Sequence, residues 1–186
     1  MPKSDEELVN AACQGDLASF GLLYERHYRM AVGVARCQLW DLHLSEDAAQ
    51  EAFATACQTL RTLQNPARFP EWLGTICRRT ATRLAKGQSK YEPFTEVHDE
   101  TSDTVLPGLR RDVHDALSSL DATAREIVML HYFSRLTYEE IAEVVQLSPQ
   151  AIQGRLQRAR AKMAEFLEPE EASLRRTSAG QPGKKP

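Results

Sequence analysis

Helical spacing of apolar residues is the feature that most constrains what this chain can fold into. Apolar side chains recur at intervals of three and four residues from Phe20 to Val34, from Ala49 to Leu63 and from Phe69 to Leu84. This spacing places them along one side of an α-helix, over roughly 17–24 residues in each case. The alternation of β-branched residues that is typical of strands is absent from the sequence. The sequence therefore predicts an all-α protein.

The same periodicity divides the chain into two small helical domains. Residues 1–86 contain the three stripes and a short leading helix near Glu6–Cys13, and these helices are expected to close as a small bundle. The polar, acidic segment 87–111 lacks the periodicity and is predicted to be a flexible linker. Periodicity resumes in residues 112–168, whereas residues 169–186, rich in Pro, Gly, Ser, Lys and Arg, are predicted to form a disordered basic tail.

Local signals refine the first domain. Ser45 is followed by two acids and predicts a helix start, because acids there complement the positive N-terminal end of a helix. Asn65 and Pro66 interrupt the pattern between the second and third stripes and predict a loop. Phe69 and Trp72 lie on the third apolar stripe, so we expect them in the core rather than on a stacking surface.

Composition argues against several classes of protein. No apolar run approaches the ~20 residues needed to span a bilayer, and no apolar segment follows the acidic N-terminal residues. We therefore expect no secretory signal, no membrane insertion and a cytoplasmic location. The histidines are scattered, no Gly-rich phosphate loop occurs, and the cysteines lie too far apart in sequence for clustered ligands. No enzyme activity, catalytic residue, metal, disulfide or cofactor is expected; the cysteines are Cys13, Cys37, Cys57 and Cys77.

Positive charge is concentrated in two stretches of a chain whose formal net charge is −3. From Gln64 to Lys86 there are five cations and one acid, and from Ser148 to Met163 there are four cations and no acid. Local positive stripes on a nearly neutral chain are typical of a protein that binds a polyanion at chosen places. A solvated helix face is the alternative explanation.

The second domain carries the pattern of a helix-turn-helix. Thr137 and Glu140 form a capping box at the start of one helix, and Ser148 and Pro149 begin another. The second helix carries Gln and Arg, the side chains that contact adenine and guanine edges in the major groove. Gln146 occupies the turn position often filled by Gly, and a left-handed conformation would cost about 1–2 kcal/mol, so we expect a less tight turn. A generic helical hairpin with a charged face is the alternative.

Several of these motifs together resemble the extracytoplasmic-function (ECF) family of RNA polymerase sigma factors, over roughly residues 16–86 and 112–167. A helix-turn-helix alone is weak evidence for this family, because many regulators share it. The acidic block upstream, residues 46–53, is a far more specific sign of the family. The resemblance implies binding to core RNA polymerase and direction of promoter recognition and melting for transcription initiation. The motifs are Phe20-x-x-Leu23-Tyr24-x-x-His27-Tyr28, Glu46-Asp47-Ala48-x-Gln50-Glu51-Ala52-Phe53, Phe69-x-x-Trp72-Leu73-x-x-Ile76-x-Arg78, Leu136-Thr137-Tyr138-Glu139-Glu140-Ile141-Ala142 and Arg155-Leu156-x-Arg158-Ala159-Arg160.

For the first domain, the resemblance implies docking on core polymerase and capture of the single-stranded −10 promoter element. Asp47, Gln50 and Glu51 match the polymerase-docking surface, although these acids also suit complementation of a helix N-terminus. A melted strand needs a pocket for an unstacked base and cations for its phosphates. The implied strand-capture residues are Arg61, Asn65, Arg68, Arg78, Arg79 and Arg83.

For the second domain, the resemblance implies reading of the duplex −35 element. The residues at the corresponding positions are Thr137, Tyr138, Gln150, Gln153, Gly154, Arg155 and Arg158. The family commonly has a basic residue in place of Gln153 and Ser in place of Gly154, and Asn and Asp near Arg79 and Arg83, so the promoter sequence stays open. The implied partners are core RNA polymerase, promoter DNA and an anti-sigma factor.

A stand-alone helix-turn-helix repressor or activator is the competing interpretation, and it would bind duplex DNA as a symmetric dimer without polymerase. Two segments carry hypotheses of their own. The acidic linker is expected to thread through a basic channel of the polymerase. In the tail, Arg175, Arg176, Thr177 and Ser178 form a basophilic kinase-like site, with an unregulated solvated tail as the alternative.

Overall fold

The structure is a computed structural model that describes residues 3–88 and 107–167. Within these ranges it contains helices and turns and no strand, which confirms the all-α prediction. Most of the predicted linker and the whole predicted tail lie outside the described residues, so the hypotheses on their acids and kinase-like site stay predictions. The helices are α1 (Asp5–Cys13), α2 (Leu17–Leu39), α3 (Leu42–Thr59), α4 (Phe69–Gln88), α5 (Pro107–Ser118), α6 (Ala122–Val128), α7 (Tyr138–Val145) and α8 (Pro149–Leu167).

The first domain is a bundle in which α2, α3 and α4 pack on one another and α1 lies across α2. Each predicted apolar stripe faces the centre, where Leu23, Phe53 and Leu73 are buried. Burial of a side chain of this size stabilises the folded state by about 1.5–3 kcal/mol. Phe69 is fully buried and Trp72 packs against the core, so the prediction that both belong to the core is confirmed.

The connection between α3 and α4 is built from two short 3₁₀ turns, Leu60–Thr62 and Pro66–Arg68. The Asn65 side chain accepts a hydrogen bond of 3.1 Å from the Ala67 N–H and caps the second turn. The predicted interruption at Asn65 and Pro66 is confirmed, because α4 begins only after this turn.

The predicted start of α3 at Ser45 is wrong. The helix begins at Leu42, and the Asp41 carboxylate caps it by accepting a hydrogen bond of 2.8 Å from the Leu44 N–H. Trp40 ends α2 in the left-handed conformation, so the chain reverses direction immediately before Asp41. Ser45 is buried inside the helix, where its hydroxyl donates to the Asp41 carbonyl.

The second domain packs α6 and α7 against α8, with α5 along the other side of α8. A π-helical turn, Met129–Phe133, continues α6 and brings Leu130 into the core. Ile127, Ile141 and Ile152 are fully buried at its centre. The apolar residues that the periodicity singles out in this half of the chain are therefore the residues that close the domain.

The two domains also pack against each other. Helices α2 and α4 of the first domain contact α6, the π-helical turn and α7 of the second, and buried apolar residues form one continuous cluster across both. Helical periodicity is a local pattern, so it predicts each domain separately and gives no sign of this contact. The contact matters for the site because it involves α4, which carries half of the predicted strand-capture residues.

The cap of α3 gives a direct test of its start. We expect Asp41→Ala to lower the free energy of unfolding by about 1 kcal/mol, because it removes the side-chain cap of the half-buried Leu44 N–H. Ser45→Ala is the matched control and should cost much less, since alanine suits a buried helical position. Urea unfolding of both variants measures the difference. A larger loss for Ser45→Ala than for Asp41→Ala would contradict the observed helix start.

Candidate functional site

The helix-turn-helix forms by the capping interactions that the sequence predicts. The Glu140 N–H donates to the Thr137 hydroxyl at 3.3 Å, and the Thr137 N–H donates to the Glu140 carboxylate at 2.7 Å. Helix α8 begins at Pro149, and the Ser148 hydroxyl accepts a hydrogen bond of 3.2 Å from the Ala151 N–H. Both predicted helix starts are confirmed, and together they set the direction of α8 relative to α7.

The turn between α7 and α8 is tighter than expected for a turn with Gln146 in place of Gly. Gln146 adopts the left-handed conformation, with φ 57° and ψ 46°, and its N–H donates to the Ala142 carbonyl at 2.9 Å. Its side-chain amide donates to the Glu143 carbonyl at 2.8 Å and so offsets part of the conformational cost. The expectation of a looser turn is wrong, because Gln146 takes the position that Gly usually fills.

One side of α8 is buried and the rest faces solvent. Ile152, Leu156 and Ala159 pack into the domain, which turns the predicted −35 residues of this helix outward. Gln150, Gln153 and Arg158 are exposed, whereas Gly154 and Arg155 are half-buried. Because Gln150, Gln153 and Gly154 are spaced by three and four residues, they lie on one face. This face offers amide and guanidinium donors with no acid on α8 from Pro149 to Ala164.

Two predicted −35 residues lie at the start of α7 rather than on α8. Thr137 is exposed, but its hydroxyl is engaged in the capping box. Tyr138 is half-buried, and its ring lies 5.2 Å from that of His131, measured between centroids. Both residues are at the N-terminal end of a helix, where backbone N–H groups favour an anion such as a phosphate.

Three of the predicted strand-capture residues lie on α4. Arg78, Arg79 and Arg83 line an open depression together with Thr82 and Lys86, so this surface is strongly basic. Arg79 and Arg83 are exposed, and Arg83 pairs with Glu51 of α3. A basic depression of this kind suits a chain of phosphates.

Arg78 differs from its neighbours because it is paired with an acid of the second domain. Its guanidinium donates to both carboxylate oxygens of Glu126, at 2.6 and 3.0 Å. Burial opposes the charged form of Arg78, but the hydrogen bonds and charge of Glu126 outweigh burial and raise the pKa of Arg78. No local sequence pattern indicates this pair, because 48 residues separate its members.

The other predicted strand-capture residues lie in the connection before α4. Arg61 donates to the Cys13 carbonyl at 3.3 Å, and the side-chain oxygen of Asn65 caps the turn. Arg68 contacts both Glu71 and Gln146, each at 2.6 Å. The structure therefore places Arg68 at the boundary with the second domain, near Arg78, whereas Arg61 lies against the end of α1.

The predicted polymerase-docking residues share one face of α3. Asp47, Gln50 and Glu51 are all exposed and are spaced by three and four residues. Because α3 begins at Leu42, Asp47 lies beyond its first turn, where the helix dipole has little effect. Complementation of the helix N-terminus therefore does not account for these acids. The three residues form an exposed acidic patch on α3, within which Glu51 pairs with Arg83 of α4.

The remaining candidate chemistry is limited. Among residues 3–88 and 107–167 no group of three or more potential ligands comes together to bind a metal ion. No helix in those ranges has the length and apolarity to span a bilayer. All the cysteines are free thiols; burial raises the pKa of Cys77 to about 12 and raises the pKa of Cys37 as well.

Comparison with known proteins gives concordant results for both domains. The family described as "Sigma-70 region 2" matches residues 23–91, and "Sigma-70, region 4" matches residues 110–163. RNA polymerase sigma factor NccH of Alcaligenes xylosoxydans xylosoxydans is 28% identical, over 90% of this chain and 96% of NccH. RNA polymerase sigma factor SigV of Bacillus subtilis is 30% identical, over 61% of this chain and 69% of SigV. The structure of CnrH in complex with the cytosolic domain of CnrY superposes with a TM-score of 0.63, at 27% identity, over 90% of this chain and 99% of CnrH.

The two family models thus match both helical domains. One covers the domain with the basic α4 and the acidic patch on α3, and the other covers the domain with the helix-turn-helix. The chain belongs to the sigma-70 family of RNA polymerase sigma factors. Within that family it is an ECF sigma factor, and its function is to direct transcription initiation. The family expected from the sequence motifs is confirmed.

The strained turn gives a prediction on stability. We expect Gln146→Gly to be about 1 kcal/mol more stable than Gln146→Ala, because only glycine adopts the left-handed conformation without steric cost. Both variants lose the side-chain amide and its contact with Arg68, so their difference isolates the backbone. Urea unfolding measures it. Equal stability of the two variants would show that this turn carries no strain.

Proposed function

We propose that this sigma factor acts through separate binding surfaces on its two domains. Residues 1–86 bind core RNA polymerase and the melted −10 strand, and residues 112–168 read the duplex −35 element. Residues 87–111 link the two domains, and residues 169–186 form a tail after the second domain. The observation that carries the proposal is the exposure of an amide- and arginine-rich face of α8 on the same chain as the basic α4.

The −35 element is read from the major groove. Gln150, Gln153 and Arg155 contact base edges, and Arg158 contacts bases or backbone, because Gln and Arg make bidentate contacts to adenine and guanine. Thr137 and Tyr138 contact phosphate from the start of α7. Gly154 keeps the backbone of α8 close to the DNA, since it adds no side chain between them.

The −10 element is held as a single strand. Arg79 and Arg83 contact its phosphates from α4, together with Arg78. Arg61, Asn65 and Arg68 form the boundary of the pocket for an unstacked base. This surface is basic, and Phe69 is buried, so Phe69 offers no ring on which a base could stack. Phosphate contacts therefore supply the larger share of the affinity for the strand.

Core polymerase docks on the acidic patch of α3, Asp47, Gln50 and Glu51. Docking on polymerase raises the effective concentration of both DNA-binding surfaces near the promoter. Each surface therefore contributes to promoter binding even when its own affinity for DNA is weak. The chain acts by binding and performs no catalysis, and it works in the cytoplasm. A regulatory protein of the anti-sigma type is a further partner; CnrH, of similar fold, was solved with the cytosolic domain of CnrY.

Transcription from fragmented host DNA by purified core polymerase tests the proposal. We expect the chain to add new transcripts whose 5′ ends lie at a fixed distance from two shared motifs. Every 5′ end is mapped with and without the chain. The 5′ ends that need the chain identify both recognition sequences, and the reaction without the chain is the control. Duplex binding without polymerase, together with no new transcripts, would favour a stand-alone regulator and contradict the proposal.

Substitutions separate base reading from phosphate binding at the mapped promoters. We expect Gln153→Ala to relax the preference at one −35 position, at a cost of about 1–3 kcal/mol for the preferred base. Arg79→Ala should weaken binding equally at all promoters. It should also reduce by about one the number of counterions released on binding, as read from the salt dependence of the binding constant. Transcription and binding titrations across salt concentrations measure both effects.

Arg160→Gln is the matched control for these variants. Arg160 lies on α8 but contacts the Tyr132 ring within its own domain, so its loss should leave promoter preference unchanged. A uniform loss for Gln153→Ala, with no change in preference, would contradict its assignment to base reading.

A further inference from the structure

Helix α1 lies outside the binding surfaces described above, yet it is firmly packed. Leu8 and Val9 are buried in the core of the first domain. The helix contacts α2, α4 and both 3₁₀ turns of the pocket loop, residues 60–68, which joins α3 to α4. The match to Sigma-70 region 2 covers residues 23–91, so α1 precedes the matched residues. Because apolar burial has no preferred direction, polar contacts at the two ends of α1 decide how the helix lies.

A polar cluster fastens the N-terminal end of α1 to α2. The Asp5 carboxylate accepts hydrogen bonds from His27, at 2.7 Å, and from Arg26, which also donates to the Lys3 carbonyl at 2.8 Å. The Asp5 and His27 side chains are only 16% and 12% exposed. Burial opposes the ionised form of Asp5, but the hydrogen bonds from His27 and Arg26 outweigh it and lower the pKa of Asp5. Because a half-buried carboxylate is costly without its donors, these contacts hold α1 in one position.

The same cluster reaches the pocket loop through an aromatic contact. The His27 ring lies 5.4 Å from the Phe69 ring, measured between centroids. Phe69 is fully buried and begins α4, directly after the turn that contains Arg68. Since densely packed side chains shift together, a change in the position of His27 is transmitted to this end of the pocket loop.

The C-terminal end of α1 meets the other end of the pocket loop. Arg61 donates to the carbonyl of Cys13, the last residue of α1, at 3.3 Å. The last carbonyls of a helix have no partner within it and form the negative end of its dipole, so a guanidinium suits this place. The nine residues of α1 thus connect the two ends of the pocket loop.

We propose that α1 supports the pocket for the unstacked −10 base, and that Asp5 is the residue that positions it. The inference rests on the strand-capture role proposed above for Arg61, Asn65 and Arg68. Asp5 is an acid and is unsuited to contact phosphates, so it acts through His27. A pocket distinguishes bases only when its groups are held to within about 0.5 Å, and a loop needs the support of its neighbours to reach that precision.

This role of α1 separates base preference from the general attraction for a strand. Arg79 and Arg83 are exposed on α4, and their contacts with phosphates do not depend on the pocket loop. Loss of the Asp5 carboxylate should therefore reduce the preference for particular bases. The electrostatic part of the affinity should stay the same, because the cations of α4 keep their positions.

Selection from short single strands of random sequence tests this separation. The full chain bound to core polymerase is incubated with the library, and the bound strands are sequenced. We expect the unchanged chain to enrich one short motif. Asp5→Ala should reduce the enrichment of the preferred bases about fivefold, the loss expected when one hydrogen bond in the pocket is misaligned. The salt dependence of binding to the unselected library should not change.

Two further variants separate positioning from a general loss of stability. Glu6→Ala is the matched control, because it removes an exposed acid from the same helical turn and should leave the enrichment unchanged. Asp5→Asn keeps one acceptor oxygen for His27 or Arg26 and should restore part of the preference that Asp5→Ala loses. Equal helix content by circular dichroism and equal binding to core polymerase show that the variants stay folded. If Asp5→Ala fails this check, Asp5→Asn is compared with the unchanged chain instead.

The outcomes distinguish the positioning role from the proposed function. Full enrichment of the motif in both Asp5 variants would overturn the positioning role of Asp5 and leave the proposed function to the transcription assay. Absence of any motif with the unchanged chain would contradict the proposed base pocket, and the positioning role with it. An equal loss in Glu6→Ala would show that negative charge on α1, rather than the contact of Asp5 with α2, affects strand binding, and would also overturn the inference.

Discussion

The burial of one segment of α2, residues 30–35, on all of its sides is the constraint on which the rest of this structure depends. Every residue from Met30 to Ala35 is buried, although one face of a helix accounts for only part of such a run. One side of α2 packs on α3 and α4 within the first domain, and another side packs on α6 and the π-helical turn of the second. The arrangement of both domains therefore follows from a single helix.

The small residues of this run explain how a helix accepts neighbours on several sides. Gly33 admits Ser134 and Leu130, whereas Ala31 and Ala35 allow close approach elsewhere. Since protein interiors are densely packed, an added methyl group at such a position displaces a neighbour rather than filling a space. The contact between the domains consequently depends on residue size as much as on charge.

The charges of α4 have different environments despite their closeness in sequence. Arg79 faces solvent, Arg83 pairs across to α3, and Arg78 pairs with an acid of the second domain. A helical stripe of cations is thus divided between binding surface and structural contact.

Much of the fold and of the candidate site was predictable because the relevant interactions are local. The apolar stripes, the capping box at Thr137 and the start of α8 at Pro149 each depend on residues within about one helical turn, and sequence motifs also identified the family. Local reasoning was wrong at Ser45 and at Gln146. In the first case the left-handed Trp40 sets where α3 begins, and in the second a side-chain amide supports a strained turn.

The sequence by itself thus determined the helices, the two domains and the candidate DNA-reading residues, since spacing and side-chain chemistry are sufficient for each. Tertiary structure alone decided which cations of α4 are exposed and where the domains meet. Arg78 and Glu126 are 48 residues apart, and Ser134 and Arg29 are 105 apart. The uninterrupted run of small and apolar residues from Met30 to Ala35 fits burial of this segment on all sides, but it does not indicate the second domain as a neighbour. Its partners follow only from packing, because many pairs of helices would satisfy the same apolar surface.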